Sequence, residues 1–212
     1  KVFSNRLELD LYIPSKNIAI EHNGIYWHSV GPESSSSDSK KHQTKYYECK
    51  NKGITLLQFL ETEWINKPKI CKSMIVNTLG LTPHRIFARE TKTAFIDAST
   101  ARQFLEDNHI NGYSNSKYKI GLFYKEELVS VITFGKPRFE KGYDYELVRL
   151  ATKVDHIVVG GVSKMLSFFT SEIKPQTIVT YADLNFGSGN VYSKLGFQYI
   201  KTTKPGYSWF YK

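Results

Sequence analysis

Cysteine is scarce in this sequence. Only Cys49 and Cys71 occur, set among lysines and without CxxC spacing, which excludes a disulfide framework and a paired-cysteine zinc site. Long apolar runs are missing too: nothing approaches the roughly 20 residues of a membrane span, and no signal-peptide pattern opens the chain. Reduced intracellular thiols and no membrane partner are the expectation. No internal repeat is visible, and the serine run Ser34 to Ser37 reads as a flexible loop. Lys1 stands where a start methionine would, so the sequence reads as a piece of a longer protein with upstream elements missing. Acid is in deficit, with 20 Asp and Glu against 29 Lys and Arg, a net charge of +9 and a pI near 9.3. A polyanion, nucleic acid first, suits that balance; a merely solvated basic surface suits it equally well. Aromatics are plentiful, 14 Tyr and 13 Phe, on 212 residues that can bury one large core or two small ones.

The hydrophobic pattern divides the chain near Leu81-Thr82-Pro83. Before it, Leu7, Leu9, Leu11 and Ile13 alternate with polar residues as in a half-buried strand. Pro14 to Asn17 reads as a turn and Ile18 to Asn23 as the returning strand. Lys41 to Asn51 fits a helix, Ile54 to Leu60 a buried strand, and Lys69 to Leu79 a helix stopped by Gly80. Beyond the linker, strands are expected at Arg85 to Arg89, Tyr118 to Tyr124, Leu128 to Phe134, Tyr145 to Thr152 and Ile178 to Tyr181. Helices are expected at Ser99 to Asn108, Gly161 to Phe169 and Asn190 to Leu195.

The front hairpin carries the first candidate chemistry. Glu21 and Asn23 fall on one face of the second strand and Ile18, Ile20 and His22 on the other, with Asp10 opposite. Two converging carboxylates make a hard oxygen site for Mg²⁺, which can polarise a phosphodiester and stabilise the leaving oxygen. His28 could take the proton of an attacking water. By residue type alone, solvent-facing acids and a surface histidine fit an ordinary hairpin as well.

The segments Leu9-Asp10-Leu11-Tyr12-Ile13-Pro14 and Ala19-Ile20-Glu21-His22-Asn23-Gly24-Ile25-Tyr26-Trp27-His28 resemble the very-short-patch-repair-like endonucleases, and more closely the phage homing endonucleases of the EDxHD group, a branch of the PD-(D/E)xK fold. The resemblance implies Asp10 as the first metal-binding acid, Glu21 as ligand or neighbour, the His22 carbonyl as a further ligand and His28 as the base. Asn23, a candidate DNA contact, stands where many relatives carry lysine, and Trp27 matches an aromatic of the DNA-contacting region. Lys41 to Lys45 and Gly53 to Phe59 match the following helix and strand. His42 and Lys45, three apart, would face the cleft; His42 occupies roughly the place of the family's last acid, and Lys45 suits the scissile phosphate. Glu61 and Glu63 read as structural. The family's upstream glutamate helix has no counterpart in the sequence.

The second half resembles the acyl-CoA N-acyltransferase (GNAT-like) fold in two places. Val158-Val159-Gly160-Gly161-Val162-Ser163-Lys164-Met165-Leu166 looks like the loop that cradles CoA pyrophosphate on backbone N–H groups. Tyr181-Ala182-Asp183 followed by Tyr192-Ser193-Lys194-Leu195-Gly196-Phe197 looks like the late helix ending in YxxLGF. The first lacks the full Q/R-x-x-G-x-G/A run. The arrangement also resembles a domain found beside homing-type nucleases in phage proteins, and fold alone does not fix activity. Lys136, Arg138, Arg149, Lys164 and Lys204 are the candidate DNA contacts. Glu146 with Arg149, and Tyr181 with Asp183, could form a buried polar network or a remnant catalytic pocket.

The expected architecture is therefore mixed α/β (α+β), a restriction-endonuclease-like domain over 1–82 followed by a GNAT-like domain over 83–212. The expected function is Mg²⁺-dependent, site-specific cleavage of double-stranded DNA in the cytoplasm of a bacterial or phage-infected cell, with a homodimer on DNA if both strands are cut. The alternatives are an acyltransferase that modifies a DNA base and a DNA-binding protein without catalysis.

Overall fold

A computed structural model describes residue 3, residues 7–24 and residues 38–203 of the chain. It is mixed α/β, and among the described residues no helix is long and apolar enough to cross a membrane.

The front sheet runs β1 (Leu11–Ile13), β2 (Ile18–Asn23), β3 (Thr55–Leu60) in that order. β1 and β2 are antiparallel across a 3-10 turn at Pro14–Lys16, where Asn17 takes the left-handed conformation (φ 52°) that Asn tolerates. Helix α1 (Asp38–Asn51) crosses over so that β3 lies parallel to β2, with Glu21 opposite Gln58. Ala19, Tyr46, Cys49, Ile54 and Leu56 fill the α1 face. The other face buries Leu57 and Phe59 against Cys71, which lies on α3 (Pro68–Thr78), and against Trp64 of the short α2 (Glu61–Asn66). Pro68 opens α3, where its missing N–H costs nothing. The alternation expected from Leu7 yields a strand only from Leu11, so Asp10 sits at a bend just before it.

The rear sheet has the order β10-β8-β7-β6-β5: β5 (Lys92–Phe95), β6 (Tyr118–Tyr124), β7 (Glu127–Gly135), β8 (Tyr145–Thr152) and β10 (Ile178–Thr180). β5 to β8 are antiparallel, and β10 joins β8 in parallel. The β6–β7 turn holds Lys125 (φ 48°) and Glu126 (φ 65°), the paired positive angles that match a two-residue hairpin to the strand twist. Helix α4 (Ala98–Asn108), capped by Asp97 on the Thr100 N–H (2.9 Å), covers Val131 and Ala151. Helix α5 (Gly161–Ile173) covers the opposite face, where Phe134 stacks on Phe169 at 3.6 Å. A separate parallel pair joins β4 (His84–Phe87) to β9 (His156–Val159) and tucks Ile86 and Val158 into that core. α6 (Asn190–Lys194) is the last helix among the described residues.

Two irregularities shape the end of the rear sheet. The β7–β8 register slips between Thr133 and Phe134, leaving Val148 as a bulged residue. β10 stays on β8 only from Tyr145 to Leu147, so the two parallel strands part at that bulge. Front and rear meet through the stretch after β10: Asn185 accepts from the Gln58 N–H of β3 (2.8 Å), and the Phe186 ring lies 5.4 Å from Phe59. The open edge of β3 is thus covered rather than left as a pairing template.

Candidate functional site

In the front sheet Glu21 faces α1 at 3% exposure. Its Oε1 accepts the Asp10 N–H (3.0 Å), and its Oε2 meets Lys45 Nζ at 2.5 Å. Asp10 Oδ2 in turn accepts the His22 N–H (2.8 Å). Each acid therefore receives a backbone N–H from beside the other, which fixes both carboxylates at the open end of the hairpin. Cys49, under the same cluster, has its thiol pushed up to about 11 by burial first and the Glu21 charge second, and stays uncharged. The structure thus brings Asp10, Glu21 and Lys45 together. His42 is half-buried on α1, one turn before Lys45. Trp27, His28 and Lys204 lie outside the described residues.

Among the described residues no group of three His, Cys, Asp or Glu is close enough to hold a metal ion. Two carboxylates are what Mg²⁺ commonly takes from a protein, with water and phosphate completing its shell. Asp10 and Glu21 fit that donor set, and Lys45 supplies the positive charge otherwise required beside a buried Glu21. Asn23, a candidate DNA contact, is buried on the Glu21 face. Glu63 is structural as expected: its Oε2 accepts the Leu60 N–H at the start of α2 (2.9 Å).

The rear holds a second polar cluster where β8 and β10 part. Glu146 is 0% exposed and accepts three donors from Arg138: the backbone N–H (2.8 Å), Nε (3.0 Å) and Nη2 (2.5 Å). Arg149 does not take Glu146; it donates to Gly112 O (3.0 Å) and to the carbonyl of the bulged Val148 (3.1 Å). Burial, then Arg138, lowers the Arg149 pKa. Tyr181, just past β10, has its phenol raised by desolvation and then by the charges of Glu146 and Glu140. His109 is pushed down to about 4, chiefly by burial and then by Arg149 and Lys67, and its Nδ1 accepts the Asn111 N–H (3.0 Å). Lys67 reaches back from the front to His109 O (3.0 Å) and the Glu106 carboxylate (3.5 Å). Both candidate DNA contacts, Arg138 and Arg149, brace the β8 end with their guanidinia, and the Arg138 side chain stays 41% exposed. Lys136 is exposed.

The Gly160-Gly161 turn opens α5 as expected, with Gly160 at φ 77°. A Cβ on Gly161 would sit 2.9 Å from Val158 Cγ1 and 3.1 Å from Leu122 Cδ2, so glycine is needed for close packing here. The first-turn N–H groups of such a helix make no bond within it. Lys164 is not offered to DNA: its ammonium donates to Ala88 O (2.8 Å) and to Thr91 O, tying α5 to the turn at Ala88–Glu90. Tyr192 packs edge-on to Phe197 (5.9 Å) and its phenol is raised by burial.

No curated protein and no solved structure matches the chain. The model of the Mom protein family matches residues 90–210, more than half its length, and the chain belongs to that family.

Proposed function

We propose that, as a member of the Mom protein family, a family of phage DNA modification, this chain transfers an acyl-type group to a base of DNA. The observation that carries the reading is the family match over 90–210, which spans β5 to α6 and contains both the Gly160-Gly161 turn and the Glu146 cluster. The topology supports it. An antiparallel run β5 to β8, a helix with a glycine turn, and a parallel β10 that parts from β8 at a bulge is the arrangement expected of a GNAT-like fold. The glycine turn and the first-turn amides of α5 fit a pyrophosphate. A CoA thioester bound there would supply an activated acyl carbonyl. The chain's own part is then to hold the acceptor base where β8 and β10 diverge. Arg138 and Arg149 fix the walls of that opening, and Tyr181, whose hydroxyl is buried and whose phenol is raised by desolvation, lies beside it. The test is mass spectrometry of nucleosides from DNA of cells expressing the chain. A nucleoside heavier than its parent, absent from the vector control, is expected; unchanged nucleosides would count against the reading.

The Asp10–Glu21–Lys45 cluster favours a second reading for the front part, that of a Mg²⁺-dependent nuclease centre with His28 as base. Asp10 and Glu21 would hold the ion, and Lys45 would turn to the scissile phosphate once metal relieves it of Glu21. Plasmid nicking with Mg²⁺ that survives both Asp10→Ala and Lys45→Met would remove this reading.

A further inference from the structure

A base inside a duplex is out of reach of an enzyme that must react with it, so such enzymes extrude the base and commonly fill the gap with an apolar side chain. We propose that Phe139 is that wedge. The inference rests on the base-modifying reading and concerns how the base is reached.

Phe139 is 75% exposed, yet it is not a loose surface residue. The residue before it, Arg138, is locked to the fully buried Glu146 by its main chain and its guanidinium, and the residue after it, Glu140, pairs with Lys201 at 2.5 Å. The ring itself stands edge-on against Tyr181, 5.5 Å between centroids and 84° between planes. Three braces thus hold one large apolar group out in solvent. The Arg138 guanidinium also lies over the Phe139 ring, 5.7 Å from its centroid, much as Arg85 and Arg89 lie over the less exposed Phe87, while Phe95 packs on Phe168.

Charge and place agree with that role. Lys136 and Lys141, both exposed, flank the tip and can meet the phosphates on either side of an opened step. Tyr181 directly follows β10, and the last paired residues of β10 and β8, Thr180 and Leu147, mark where the strands part. The wedge therefore stands beside the opening proposed to receive the base. An apolar ring inserted into the stack would compensate the lost stacking while the extruded base turned toward Tyr181. The fully buried Glu146 acts through Arg138 as a positioning residue for the wedge.

Permanganate oxidises unstacked thymines wherever they occur, so footprinting along a long duplex needs no knowledge of the target site. The full chain, Phe139→Ala and Phe139→Leu would be compared, with filter binding of the same DNA and nucleoside mass spectrometry on duplex and single strands. The wild type is expected to create hyper-reactive thymines. Phe139→Ala should lower them about tenfold, as loss of a group that offsets unstacking requires, while affinity stays within about threefold because the phosphate contacts remain. Phe139→Leu should recover most of the signal, and the Phe139→Ala deficit in modification should vanish on single-stranded DNA. Unchanged footprints in Phe139→Ala, an equal deficit on single strands, or no unstacking by the wild type would each overturn the wedge. Unstacking without any modified nucleoside would keep the wedge and sink the base-modifying reading instead.

Discussion

Removing Arg138 should cost the fold far more than its position on a surface loop suggests. Arg138→Ala leaves the Glu146 carboxylate at 0% exposure with only the main-chain N–H of residue 138 to satisfy it. Breaking a buried ion pair from one side costs about 3–5 kcal/mol. The Arg138 side chain is 41% exposed and one of three donors survives, so the figure falls to about 2–4 kcal/mol. For a chain of this length that is a drop of roughly 4–16 °C in Tm, at about 2–4 °C per kcal/mol. Glu146→Gln keeps the shape and removes the charge, and should cost about 1.5–3 kcal/mol, the worth of a charge-assisted bond. The double change Arg138→Ala with Glu146→Leu removes both the charge and its need for a partner, and should return to within about 1 kcal/mol of wild type. Urea denaturation of the three variants tests the order. A double variant as unstable as Arg138→Ala, or an Arg138→Ala cost below about 1 kcal/mol, would refute the dominance of the buried carboxylate.

His109 is held neutral, its pKa lowered from 6.5 to about 4, so the unfolded chain binds the extra proton between those values. Its contribution is fully present above pH 6.5 and is lost as pH falls toward 4, at most about 3 kcal/mol; His109→Gln should flatten that part of the stability–pH curve, and an NMR titration with a midpoint near 6.5 would refute the shift. Gly112→Ala should destabilise by about 1–3 kcal/mol, because a left-handed alanine is strained and its Cβ would lie 2.5 Å from Glu106 Oε2, displacing the carboxylate from the Tyr113 N–H; a variant as stable to urea as wild type would contradict this. Phe186→Ala should cost about 2 kcal/mol, less than a fully buried phenylalanine, and should speed hydrogen exchange of the Gln58 amide that donates to Asn185 O. Unchanged exchange at Gln58 would mean that the rear segment does not hold the β3 edge.

Much of the fold was legible because period and punctuation agree. Strand Ile18–Asn23 and the hairpin from Tyr118 were readable from alternation and turn residues, and α3 from Lys69 up to its stop at Gly80. β5 and β9 were not. Lys92 to Phe95 is a four-residue edge strand, and His156 to Val159 is a short apolar run whose partner lies at His84 to Phe87, a pairing no local pattern announces. The site divides likewise. Asp10 and Glu21 were suggested by residue type on a hairpin and Lys45 by the resemblance to the nuclease helix, and the crossover helix does bring the lysine to the acid. A shared strand offers Arg149 beside Glu146, although residues three apart in a regular strand fall on opposite faces. The bulge at Val148 disrupts strand alternation, and the loop returns Arg138 to Glu146 instead. A bulge and a loop return depend on tertiary register, which a single sequence does not display. Lys164 read as a free phosphate contact because its carbonyl partners, Ala88 and Thr91, lie on a turn far away in sequence.

The central claim is that this member of the Mom protein family alters DNA bases through its rear part. It is tested most directly by digesting DNA from cells that express the full chain, its Asp10→Ala variant or its Tyr181→Phe variant, and weighing the nucleosides. A mass-shifted nucleoside is predicted with the wild type and with Asp10→Ala, and much less of it with Tyr181→Phe. Four unmodified nucleosides in every sample, together with Mg²⁺-dependent cutting by the wild type alone, would contradict the claim.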